Sequence, residues 1–240
     1  MRDVTAVLRD GMWSGRRAFV VGSGPSLQGF DRKLLTRERT IGINEEWRWT
    51  PTIALHSDLR LLKGDGLKKG YRDDEAYLST KSIKVYHKAH PDQEDLEAPD
   101  FIFKIHSSLG VLGRTLSDGL CFRANAGLAG LNLACILGAD PIYLMGFDCG
   151  ALDGKTHSHA HYPPEWRQIP KAYIYKRWAE AFAKVAPGIK ARVVNLCPSS
   201  GIECFEKQYP FAAFMGMKDA AGRPEYTAEE VRAAFGGGGA

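Results

Sequence analysis

The stretch AFVVGSGPSLQGFD, Ala18 to Asp31, passes from an apolar run through two glycines into a proline and a serine. Ala18 to Val21 is short and rich in β-branched and aromatic side chains, the pattern of a strand buried on both faces. Gly22 and Gly24 allow unusual backbone conformations and close approach, while Pro25 and Ser26 suit the first turn of a helix. Free N–H groups at such a start attract an anion, so the turn reads either as a phosphate cradle or as a plain βα connection. No third glycine stands at the dinucleotide spacing and no Lys-Ser/Thr pair follows, which excludes those two fingerprints.

Working outward, strand-like runs recur at Ala18–Val21, Thr40–Asn44, Thr52–Ser57, Ser82–His87, Phe101–His106, Pro141–Gly146 and Ala191–Leu196. Helix-length segments separate most of them, which predicts an α/β chain with a Rossmann-like, mostly parallel sheet flanked by helices. Ala124–Leu137 is small and apolar almost all round and reads as a buried helix. Lys171–Val185 is amphipathic, with Tyr175, Trp178, Phe182 and Val185 recurring at three- and four-residue steps. Between Leu62 and Pro99 the composition turns charged and irregular, so residues 62–99 are expected to form a surface, lid-like insertion. The expected organisation is one catalytic domain over 1–215 and a tail over 216–240, in which Thr227-Ala-Glu-Glu is a capping-box pattern opening a short helix.

The 240 residues are 44% hydrophobic, enough for one substantial core, and the net charge of +4 comes from basic groups scattered among acids. That distribution carries no nucleic-acid signature. No apolar run approaches the ~20 residues that span a bilayer, and the first residues lack a signal-peptide core, so the expectation is a cytoplasmic protein without a transmembrane segment. Five cysteines without a Cys-x-x-Cys pair indicate neither a disulfide framework nor a zinc knuckle.

In open α/β sheets ligands sit beyond the carboxyl ends of the strands, and the residues that follow the predicted strands are polar. They include Ser23, Asn44, Asp58, Asp148 and the Cys197-Pro198-Ser199-Ser200 run. Asn44 carries both donors and an acceptor and suits a base or a ribose. The segment Gly146 to Trp166 places His157, His159 and His161 in five residues. An extended backbone would direct all three to one face, either to bind a metal with Asp148 or Asp153 or to supply a general base; a polar surface loop is the third reading.

In order along the chain, these blocks resemble the bacterial sialyltransferases of glycosyltransferase family 42, and also the 6-hydroxymethylpterin diphosphokinase-like family of bacterial and phage surface-sugar loci. The blocks are GSGPSL at Gly22–Leu27, Asn44, Arg123-Ala-Asn-Ala-Gly127, LGADPIYLMGFD at Leu137–Asp148 and NLCPSSGIECF at Asn195–Phe205. The resemblance implies a nucleotide-sugar-dependent glycosyltransferase without cofactor or metal, transferring a sugar to the hydroxyl of a glycan or another acceptor, a modified nucleic-acid base included. Together with Asp58, taken from its place after a predicted strand, it implies a nucleotide site from Gly22, Ser23, Gly24, Pro25, Ser26, Asn44, Asn125, Gly146, Asp148, Pro198, Ser199 and Ser200. It also implies a base within the histidine loop, with His161 favoured over His159, and an electrostatic role for Arg123. Ser23 stands where the sialyltransferases carry asparagine, and Gly150 where they carry tyrosine, which argues against CMP-sialic acid as the donor; Tyr162 is a nearby phenol. The second resemblance implies instead a diphosphokinase holding magnesium on Asp58 and Asp148, with or without a histidine, or a non-catalytic nucleotide-binding phage accessory protein.

Overall fold

A computed structural model describes residues 1–89, 97–122, 125–167 and 172–236. Its strands and helices, in chain order, are β1 (Arg2–Asp3), β2 (Ala18–Val21), β3 (Arg39–Ile43), β4 (Ile53–His56), α1 (Leu59–Lys63), α2 (Glu75–Ser79), β5 (Ile83–Lys88), β6 (Ile102–His106), α3 (Ala126–Ile136), β7 (Ile142–Met145), α4 (Ala172–Val185), β8 (Val193–Asn195), β9 (Glu206–Lys207), α5 (Pro210–Gly216) and α6 (Ala228–Ala234). The nine strands form one sheet in the order β1-β6-β5-β4-β3-β2-β7-β8-β9. Every pairing is parallel, with Val20 opposite Ile41 on one side and Leu144 on the other.

All seven strand-like runs are strands. The two-residue edges β1 and β9 carry no such signal, being too short for any alternation to register. Along the central strands the side chains alternate between two cores, as the two-residue period of a strand requires. Ala18, Val20, Ile41, Ile43, Ile142 and Leu144 face α3 and α4, whereas Phe19, Val21, Tyr143 and Met145 face α5 and α6. Ala54, Tyr86 and Ile102 continue that second face beneath α1 and α2.

Helix α3 is buried nearly all round, as its composition predicts. Gly130 lets it lie against the sheet, since a Cβ there would stand 2.6 Å from Ile43 Cδ1 and 2.9 Å from Val20 Cγ1. Its one buried amide, Asn132, accepts from the N–H groups of Gly113 (3.0 Å) and Cys121 (2.8 Å) and donates to Gly113 O (2.9 Å). A buried polar group needs such partners to avoid a desolvation penalty.

Among its described residues the charged stretch 62–99 is not all surface, and even Lys84 within it is buried. Tyr71 and Tyr77 within it are fully buried, and β5 lies between β4 and β6 inside the sheet. The tail joins the main core in the same way, because Tyr226, Val231 and Ala234 pack in the cluster that holds Phe19 and Phe214. The capping box forms as expected, with Thr227 accepting from Glu230 N–H and Glu230 from Thr227 N–H.

The chain builds outward from β2 through β3 to β6, then crosses by α3 to the other side of β2 and continues with β7. The strand order therefore reverses between β2 and β7. Parallel strands diverge at that point, and a crevice opens beyond their carboxyl ends.

Candidate functional site

The glycine turn lies in this crevice, and it does not open a helix. Pro25–Leu27 is a single 3-10 turn, so the expected helix start with its free donors is absent. The Gly22 N–H donates to Met145 O (2.8 Å), Gly24 N–H to Gly146 O (3.0 Å) and Leu27 N–H to Gly24 O (3.1 Å). Ser26 donates to Asp148 twice, from its N–H to Oδ1 (3.0 Å) and from its hydroxyl to Oδ2 (2.8 Å). The anion that satisfies this turn is the protein's own carboxylate. Burial raises the Asp148 pKa, and the two Ser26 bonds oppose that shift. Gly24 is required by the same contact, because a Cβ would run into Asp148 and the Gly146 carbonyl. Gly146 itself has φ +68 and crosses Gly22 so closely that a Cβ would stand 2.6 Å from Gly22 O.

Beside the turn lies a cavity of about 630 Å³, bounded by the ends of β2, β3, β4 and β7, the start of α3 and the N-terminal half of α4. Gly22, Ser23, Gly24, Pro25, Asn44, Asp58, Asn125, Gly146 and Asp148 line it, as the sequence reading expects. Ser26, Pro198, Ser199 and Ser200 do not. Ser200 is buried and structural, its hydroxyl donating to Phe147 O (2.5 Å) and accepting from Ile202 N–H (3.0 Å). Arg123 lies outside the described residues.

Two of the lining residues are already committed to helix ends. Asn125 caps α3 by accepting from Gly127 N–H (2.8 Å) and Leu128 N–H (3.2 Å). Asp58 caps α1 through Arg60 N–H (2.9 Å) and also pairs with the Arg60 guanidinium at 2.7 Å. Arg60 lies 4.5 Å from the centroid of the Trp166 ring and is the one lysine or arginine among the described residues of the wall. Asn44 holds a left-handed backbone at φ 54, and so does Cys149 at φ 46. Strained positions of this kind, worth about 1–3 kcal/mol each, gather where a site imposes its geometry. The Asn44 side-chain oxygen is buried without a hydrogen bond among the described residues.

Sequence reasoning missed the aromatic wall. Phe122, Phe147, Tyr162, Trp166, Tyr175 and Trp178 all face the cavity. The signal was present in the apolar stripe of α4, which the sequence marks only as one face of an amphipathic helix. Phe182 and Val185 are core, but one or two turns earlier Tyr175 and Trp178 are only half-buried and stack edge to face at 5.6 Å. The stripe outruns the sheet it packs on.

The three histidines do not share one role. Their rings form a ladder, His157 to His159 at 5.6 Å and His159 to His161 at 5.0 Å, with Tyr162 edge-on to the first two. Only His157 lines the cavity, and its Nδ1 lies 2.8 Å from Thr156 Oγ1. His159 accepts the His161 N–H on Nδ1 (3.2 Å), so its neutral ring carries the proton on Nε2 and has no lone pair left for a substrate. Burial and the neighbouring His157 also depress its pKa to about 3. His161 is exposed, and burial of part of its ring, with Arg48, lowers its pKa. Neither His161 nor His159, the two that the resemblance favours as the base, lines the cavity. Among the described residues no three His, Cys, Asp or Glu side chains converge as metal ligands; Asp148 is engaged by Ser26.

No family model matches the chain, and no curated protein matches it. Two solved structures share its fold. One is the MAf glycosyltransferase from Magnetospirillum magneticum AMB-1, with a TM-score of 0.54 and 15% identity over 95% of this chain and 39% of that one. The other is the sialyltransferase CstII from Campylobacter jejuni, solved with a substrate analogue, cytidine-5'-monophosphate; its TM-score is 0.51 and its identity 14%, over 92% of this chain and 98% of that one. The chain thus spans well under half of the MAf protein. No helix among the described residues is long and apolar enough to cross a membrane.

Proposed function

We propose that the chain is a glycosyltransferase that binds a nucleotide-activated sugar in the cavity between β2 and β7 and uses His157 as general base toward an acceptor hydroxyl. The observation that carries this reading is the position of the His157 ring, brought by its loop into the wall of a cavity at the point where the strand order reverses. The imidazole of His157, with Nδ1 2.8 Å from Thr156 Oγ1, is of the side-chain class that accepts a proton near neutral pH. Attack on the anomeric carbon breaks its bond to phosphate, so negative charge grows on the leaving group. Arg60, held by Asp58 at the wall, is the described cation best placed to meet it. The aromatic side chains offer flat apolar faces for a base or a sugar ring, and the unpaired Asn44 oxygen offers an acceptor for a ribose hydroxyl or a base N–H. The kinship of fold with two glycosyltransferases supports the same reading.

A thermal-shift panel of nucleotides and nucleotide-sugars tests the binding half. A ligand at 100 times its Kd stabilises the native state by about 2.7 kcal/mol, and one nucleotide class should stand out. Tight binding without turnover of any donor would instead identify a binding module.

A further inference from the structure

We propose that the adjacent carboxylates Glu45 and Glu46 are positioning residues that hold the histidine loop against the cavity, each through one cation drawn from a different part of the chain. The catalytic consequence rests on the glycosyl-transfer reading; the anchoring does not.

The 3-10 turn Asn44–Trp49 directs both acids inward from the end of β3, leaving them 2% and 3% exposed. Glu45 is paired with Lys68 Nζ at 2.9 Å and accepts from Arg48 Nε at 2.8 Å and from the Tyr71 hydroxyl at 2.5 Å. Lys68 then donates to the carbonyl of His161 (3.3 Å). Glu46 accepts from Arg32 Nε (3.2 Å) and Trp49 Nε1 (3.0 Å). Arg32 then donates from Nη2 to Ser158 Oγ (3.1 Å), while its Nη1 binds the carbonyls of Leu27 and Phe30. Ser158 N–H also reaches Ser23 O on the glycine turn (2.9 Å). Ser158 and His161 are thus tied separately, and His157 enters the cavity wall one residue before the first tie.

Burial is what turns these pairs into anchors. An exposed ion pair constrains little, whereas a buried carboxylate stripped of its cation is heavily penalised. Each cation is therefore held in place, and its remaining donors are presented to the loop at fixed positions. Arg32 uses all three of its nitrogens, a fork that lysine does not reproduce.

The test uses charge-neutral pairs, so that no buried charge is left alone: Arg32→Met with Glu46→Gln, and Lys68→Met with Glu45→Gln. Hydrogen exchange is followed across residues 157–162 and across α3, and melting is followed with and without cytidine-5'-monophosphate and uridine-5'-diphosphate. Losing a charge-assisted bond should accelerate local exchange in the loop by roughly tenfold or more while α3 changes little. Arg32→Lys, which keeps the charge and the fold, should accelerate exchange near Ser158 more than near His161. Unchanged loop exchange in both pairs, or acceleration spread equally over α3, overturns the anchoring. If neither nucleotide nor any nucleotide-sugar stabilises the parent protein, the site reading falls while the exchange result still decides the anchoring.

Discussion

The glycine turn Gly22–Leu27 and the histidine loop Thr156–Tyr162 flank the same cavity, and in sequence both look like ligand sites. They differ in where their hydrogen-bonding capacity goes. Gly22, Gly24 and Ser26 of the turn spend their donors on the protein, on Met145 O, Gly146 O and the Asp148 carboxylate, while the buried Ser23 hydroxyl has no hydrogen bond among the described residues. The loop anchors Ser158 and His161 to buried ion pairs and leaves the ring of His157 on the cavity wall. A motif serves a site only where its polar groups reach the cavity, and composition does not say which ones do.

The largest effect should come from the loop. His157→Asn is expected to lower turnover by about 10²–10⁴-fold, the range for removing a positioned base, with little change in donor affinity or melting temperature. Full activity in this variant, with loss in His161→Asn, would invert the assignment within the ladder.

Gly24→Val should act on folding before it acts on any ligand. Its branched side chain would displace Asp148 and the β7 end, and overpacking of this kind costs roughly 1–3 kcal/mol, a fall in Tm of several degrees for a chain of this size. A variant that melts with the parent yet binds no nucleotide would erase the contrast and restore the cradle reading.

Acid stability should report the buried rings behind the loop. His56 is fully buried against the Tyr71 and Tyr77 rings, neither ring nitrogen has a hydrogen bond among the described residues, and burial lowers its pKa from 6.5 to about 3. The unfolded chain binds the proton first, so stability is complete above about pH 6.5 and falls as the pH drops toward 3, with a slope of up to ~1.4 kcal/mol per unit for the group. His56→Phe should flatten the pH dependence of Tm in that window. An unchanged slope would assign it to other groups, His159 among them.

The smallest effect is expected at His161. His161→Asn leaves the backbone carbonyl that Lys68 holds and the N–H that His159 accepts, so turnover should stay within about twofold of the parent.

Most of the sheet is legible in the chain itself. Each central strand is a short β-branched or aromatic run between turn formers, and α3 is too apolar to be anything but buried. Local pattern is sufficient there because every residue of the run meets the same environment. The site is legible only in part. Asn44 and Asp148 stand at strand ends and line the cavity, whereas Pro198, Ser199 and Ser200, which also follow a strand, are not part of its lining. Tyr175 and Trp178 continue a helical stripe whose later members, Phe182 and Val185, are core. Nothing local marks where the sheet beneath that stripe stops.

The sequence by itself determined an α/β chain, its seven longer strands and its two long helices, because hydrophobic period is a local property that burial reads directly. Only the tertiary structure decided which polar groups remain for a ligand. Asp148 and Ser26 are 122 positions apart and close the glycine turn, and Glu45 and Glu46 reach residues 158–161 through cations at 32 and 68. Those matches join parts of the chain that no window spans, and a hydrogen bond formed between them removes both partners from the site at once.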